Sequence, residues 1–260
     1  MAVTANRRPA SLVALRELGR SALIGSTAAM AAGLVAGGVG SRIAMSLVAI
    51  ADPSVTGLLT ANDNRVGEVS VGGSLFLAMT ATLVSAFHGG VVYIASTRLL
   101  PGTTVVRGLL LGAALLCVFG TEIIDPTNRD FVRFASPAWN IGLFAGLFLL
   151  FGLVASGVGA AMERRLPSAD DAEMGMPFAL AGVGLIALWV VIALLVGADG
   201  DPYLIAVFGG AIGVSTLVHV LPGRLSSGIG RASLAGISVV GGIRLVLAIL
   251  DIVSRDARFS

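Results

Sequence analysis

Seven stretches of this chain run for about twenty residues or more with scarcely a charge in them, and that feature decides what the chain can fold into. They lie within 21–51 and 71–97, then at 103–124, 138–162, 177–197, 203–221 and 232–253. A helix rises about 1.5 Å per residue, so about twenty apolar residues match the ~30 Å hydrocarbon core of a bilayer. Lipid offers no partner to an unpaired backbone amide, so a crossing segment must be a helix or part of a closed barrel. A barrel would show alternating segments of about ten residues, and none occur. The expected fold is all-α, a polytopic transmembrane bundle of about seven helices forming a single domain over 1–260. Only 12% of the residues are charged, about half of the roughly 25% of a soluble domain. Lipid is the solvent that tolerates the difference.

The charges that remain exclude several classes. All 17 basic residues are arginine. A chain without lysine cannot bind retinal or pyridoxal phosphate as a Schiff base, nor supply a P-loop lysine. The net charge of +2 is scattered, which argues against nucleic acid as a partner. The one cysteine, Cys117, lies in an apolar run and reads as a core-packing residue. Arg7, Arg8, Arg16 and Arg20 precede an apolar run of about thirty residues, too long for a cleavable signal, so an uncleaved first span is expected.

Arginine placement predicts orientation by the positive-inside rule. With the N-terminus cytoplasmic, the inner segments carry Arg7, Arg8, Arg16, Arg20, Arg98, Arg107, Arg164, Arg165, Arg224 and Arg231. The outer segments carry Arg65, Arg129, Arg133, Arg255 and Arg258. This distribution places the C-terminus outside, unless one span is re-entrant. Asn62 to Asn64 supply turn chemistry, so a small extracytoplasmic β-hairpin is expected at 57–70. The outer loop 121–137 mixes charges with aromatics and is expected to fold back over the bundle. The polar cytoplasmic segment 163–176 is the expected linker between four spans and three.

Small residues recur at four-residue spacing: Gly33 and Gly37, Gly108 and Gly112, Gly209 and Gly213, with Ser85/Gly89 and Ser238/Gly242 of the same kind. Such stripes let helix backbones touch. They serve packing within one bundle, or self-association into a homo-oligomer.

A charge near the bilayer centre costs roughly 2.5–3.5 kcal/mol on insertion scales, which makes intramembrane charges candidates for function. Arg42 lies in the first run and Arg244 in the seventh, with Asp251 two turns beyond on the same face. Glu122 and Asp125 end the third run. These five are expected to meet in an outward-facing arginine–carboxylate cluster. It would bind an anion or relay an ion or proton, or else clamp the helices in register. His88 and His219 are the only histidines, both toward the cytoplasmic side, and are candidates for a proton-responsive role. Their depths differ by about 7 Å at helical rise, which argues against shared haem ligation, so no cofactor or metal is expected. Gly213, Ser215 and Thr216 partly echo the Gly-x-Ser-Gly motif of rhomboid proteases. The closing glycine is missing, however, and Ser215 shares its helix with His219, so catalytic residues are not expected.

The stretch Gly33 to Met45, together with Asp130-Phe131 and Pro137-Ala138-Trp139-Asn140, resembles multi-span inner-membrane proteins of high-GC bacteria. The resemblance covers about the first two-thirds of the chain and implies location in a bacterial inner membrane, with no activity attached. Three readings of function stay open. One is a small-solute, ion or proton transporter using the arginine–carboxylate cluster. Another is a non-catalytic scaffold or accessory subunit, and the third a membrane enzyme or haem protein.

Overall fold

The computed structural model describes residues 10–60, 65–68, 70–97, 99–128, 130–134, 136–168 and 223–256, with 175–181 and isolated positions between 183 and 213. Among them the fold is helical. Helix α1, Ala10–Ala32, continues without a break through an eight-residue π-helical turn, Gly33–Gly40, into α2, Ser41–Ala51. Asp52 ends that helix, and its carboxylate accepts the Ser54 amide at 3.1 Å to start the 3-10 turn Pro53–Val55. Helix α3 spans Val71–Thr97. Helix α4 spans Thr104–Ile123 and is capped by the Thr103 hydroxyl, which accepts the Val106 amide. After the single turn α5, Asp130–Arg133, comes α6, Pro137–Arg165. Ser136 caps α6 and proline opens it, a favourable pairing because proline's missing amide is one the first turn would leave unbonded. Helix α7 spans Gly223–Asp256.

Four of these helices are long and apolar enough to cross a membrane, over Leu15–Ala51, Thr104–Ile123, Pro137–Arg165 and Gly228–Arg255. Val71–Ala86 adds a shorter apolar helix. Their outer faces stay apolar: Ile43, Ile50, Leu75, Phe76, Met79, Val239, Ile243 and Leu247 are all exposed. A water-facing surface of that kind would drive aggregation, whereas acyl chains are a neutral neighbour for it.

Glycines set the helix directions. A Cβ on Gly25 would meet Ile94, one on Gly33 would meet Ser85, and one on Gly38 would meet Ala78, so α1 and α3 run antiparallel. Gly108 sits against Leu153, and Gly112 against Phe148 and Leu149, so α4 and α6 are antiparallel as well. Gly120 meets Leu245 while Gly242 meets Cys117, which makes α4 and α7 parallel. The start of α7 is also tied to the start of α4, because the Arg231 guanidinium donates to the Leu99 carbonyl at 3.2 Å. Helix α6 therefore ends, and α7 begins, at one and the same end; the runs expected at 177–197 and 203–221 fall between them in sequence. Those two runs lie largely outside the described residues. Helix α1 begins at this end, called here the near end, and α7 finishes at the far end.

The small-residue stripes of α1 and α4 are spent inside the chain. Gly33 and Gly37 seat on Ser85 and Ala81 of α3, and Gly108 and Gly112 interlock with Gly152 of α6. Around them Ile24, Ala28, Ala32, Val92, Tyr93, Leu111, Leu115 and Ala155 form the central core.

Two loops close the far end. The 121–137 loop folds onto the bundle: Phe131 packs with Ile124, Leu245 and Ile252, and Phe134 with Val48, Val55 and Val66. The Asn140 amide holds this loop by donating to the Phe134 carbonyl. In the 57–70 region the described residues make one isolated antiparallel bridge, Leu59 with Arg65, rather than paired strands.

Candidate functional site

Of the five residues expected to form one polar cluster, Asp125 and Asp251 make contacts that hold the far end together. Asp251 pairs with Arg255, one turn on, at 2.8 Å. The Arg255 guanidinium also donates to the Pro126 carbonyl at 3.2 Å, which ties the end of α7 to the turn after α4. Asp125 holds that turn, accepting the Thr127 amide at 2.8 Å and the Thr127 hydroxyl at 2.6 Å. Glu122 is exposed on the last turn of α4. Arg244 is half-buried on α7, just before Leu245, which packs under Gly120. Arg42 is half-buried at the start of α2 and follows the π-helical turn. Its Nε is shielded from solvent and makes no hydrogen bond among the described residues. Thus Asp125, Asp251 and the far ends of α4 and α7 come together, while the two arginines sit on other helical turns. His88 lies on α3 with its side chain outside the described residues, and His219 lies outside them entirely.

A second polar feature is at the opposite, near end. A cavity of about 310 Å³ opens between the beginnings of α1 and α4 and the ends of α3 and α6. Helix α1 presents Glu17, Arg20, Ser21 and Ile24 to it, and α3 presents Tyr93 and Ile94. Helix α4 adds Thr104, Arg107 and Leu111, and α6 adds Ser156, Ala160 and Glu163. On α4 and α6 these residues fall three, four or seven apart, as Glu17, Ser21 and Ile24 do on α1, the spacing that puts side chains on one face. The lining thus mixes charged and hydroxylic side chains with the aliphatic Ile24, Ile94, Leu100 and Leu111.

Local chemistry fixes the walls. Tyr93 is only 4% exposed, and the hydroxyl end of its ring meets Gly159, where a methyl group would overlap the phenol oxygen. A small residue at 159 is what admits the phenol to the cavity wall. Glu163 and Arg107 both stand close enough to the Tyr93 hydroxyl to act on it electrostatically, with opposite signs. The Arg20 guanidinium donates to the carbonyls of Pro167 at 2.8 Å, Glu163 at 3.1 Å and Leu166 at 3.4 Å. Those carbonyls end α6 and have no intrahelical donor, and a cation there also suits the negative end of the helix dipole. Arg16, one turn earlier, is 8% exposed and stacks on Gly175, whose missing Cβ leaves the room. Among the described residues no group of three or more His, Cys, Asp or Glu is placed to hold a metal ion.

Sequence reasoning took Arg20, Arg107 and Glu163 for orientation signals and a linker charge, and passed over Tyr93. The readable signal was the stripe Glu17, Arg20, Ser21, Ile24 at helical spacing, which marks a polar face entering an apolar run.

No protein-family model matches the chain, and no curated protein or solved structure is significantly similar to it. Function is therefore read from the geometry alone.

Proposed function

We propose that the chain is a multi-pass protein of a bacterial inner membrane that binds a small polar solute in the near-end cavity and moves it across the bilayer. The observation that carries this reading is the 310 Å³ cavity itself, bounded by four helices and lined by charged, hydroxylic and aliphatic side chains together. Ligand sites combine an apolar body with a few convergent polar groups in this way. The excess of arginine at this end supports a cytoplasmic orientation for it. At the opposite end the Arg255–Asp251–Pro126 contacts and the phenylalanine-packed loop tie the helices together, which supports a closed outer side. A cavity open at one face and sealed at the other is the arrangement of one half of an alternating-access cycle. Asp125 and Asp251 then serve as an outer clamp rather than as solute ligands.

Reconstitution of the full chain into proteoliposomes tests the proposal. Uptake of one or more small polar solutes is expected over empty liposomes, and Arg107→Gln or Glu163→Gln should lower it at least tenfold without moving the unfolding midpoint. If no solute in a broad panel enters, and none shifts thermal stability, the transporter reading falls.

A further inference from the structure

The near-end cavity carries four charges, and they are not equivalent. Arg20 is committed to the carbonyls of Glu163, Leu166 and Pro167. Glu17 is engaged in an interaction of its own. Arg107, on the first turns of α4, and Glu163, on the last turn of α6, differ from these two. Both line the same cavity and both are exposed to it. Among the described residues neither side chain makes a hydrogen bond or ion pair, with the other or with anything else. One cation and one anion, not paired with each other, thus face a common space. Below them lie the Tyr93 phenol and an aliphatic floor of Ile24, Ile94 and Leu111.

Opposite charges meant only to clasp two helices would be expected to meet, as Arg255 and Asp251 do at 2.8 Å. Opposite charges that line one cavity without pairing with each other are complementary to a ligand that carries both signs, and each rejects a ligand carrying its own sign alone. We infer that the cavity recognises a small zwitterion, its anionic group at Arg107 and its ammonium at Glu163, with a short aliphatic part against Ile24, Ile94 and Leu111. This rests on the solute-binding reading above and names the ligand class for the same cavity. Guanidinium suits a carboxylate or a phosphate, each offering paired oxygens. The zwitterion can therefore come from water as a free amino-acid-like solute, or from the bilayer as a phosphatidylethanolamine headgroup.

The experiment titrates the detergent-purified full chain by calorimetry with glycine, 4-aminobutanoate and 6-aminohexanoate, which span different charge separations. Butanoate and butylamine are the controls bearing one charge each. At least one zwitterion should bind tenfold or more tightly than either control. Arg107→Gln and Glu163→Gln should each erase that preference, and the double exchange Arg107→Glu with Glu163→Arg should restore it, which a loss of folding would not. Nanodiscs of phosphatidylethanolamine and of phosphatidylglycerol distinguish the sources. Displacement of the bound zwitterion by the first alone assigns the site to a headgroup, and no displacement assigns it to a free solute; both support zwitterion recognition. If butanoate or butylamine binds as tightly as the zwitterions, the ligand class is wrong while the cavity keeps its role. If none of the probes binds and proteoliposome uptake is also absent, both readings fail.

Discussion

Gly152→Ala is expected to force α4 and α6 apart. A Cβ at this position would collide with the Gly108 carbonyl oxygen and the Gly112 amide nitrogen, and would lie 2.8 Å from the Gly112 Cα. All three are backbone atoms, so no side chain can rotate away. Ordinary contact begins at 3.4 Å, so the two helices must separate by at least roughly 0.6 Å (3.4 less 2.8 Å) at this level. A gap of 0.5–1 Å forfeits about a quarter to a half of each dispersion contact along the seam, and overpacking of this kind costs about 1–3 kcal/mol. In a bilayer the hydrophobic effect does not compensate, because helix association depends on close contact itself. Each ~1.4 kcal/mol is a factor of ten, so the unfolding constant should rise roughly five- to hundredfold. The assay is reversible unfolding in mixed micelles by dodecyl sulfate titration, followed by near-ultraviolet dichroism. Gly146→Ala on the same helix is the control, since nothing lies within 4 Å of a Cβ there; it should be neutral or slightly stabilising. Equal stability of the two variants would refute the interlocked seam.

Arg20→Ala should cost about 1–3 kcal/mol, the range for hydrogen bonds involving a charged group. It should also speed amide exchange in the last turn of α6 around Glu163 to Leu166. Arg20→Lys should recover only part of this, because an ammonium cannot span three carbonyls as the guanidinium fork does. Gly159→Ala should push the Tyr93 ring out of the cavity wall and weaken solute binding at least tenfold, measured by calorimetry. Gly157→Ala, with nothing within 4 Å, should leave binding unchanged.

The helical character of the chain was legible in the sequence, because apolar length is a one-dimensional property. The runs at 71–97 and 103–124 coincide with helices Val71–Thr97 and Thr104–Ile123. The burial of Phe131 and Phe134 followed from aromatics in a polar loop, which need cover wherever the chain goes. The ends of the long helices were harder to read. Helix α1 starts at Ala10, ahead of the apolar run within 21–51, where Arg20 reaches the end of α6 and Arg16 packs against Gly175. Such contacts lie more than a hundred residues away in sequence, and no local pattern encodes them. The same limit governed the site. Asp251 was placed in a cluster with Arg42, Arg244 and the outer acids, and its pairing with Arg255, four residues on, was passed over. The near-end cavity draws on four helices, so its existence depends on packing rather than on spacing. Only the polar faces that line it could have been seen in advance.

Sidedness of labelling tests the central claim most directly. In a Cys117→Ser background, Thr104→Cys marks the mouth of the near-end cavity and Ser254→Cys marks the far end of α7, both at exposed positions. A membrane-impermeant maleimide applied to inside-out and right-side-out vesicles should modify Thr104→Cys from the cytoplasmic face and Ser254→Cys from the opposite face. Modification of both from one face would contradict a membrane-crossing bundle whose cavity opens inward.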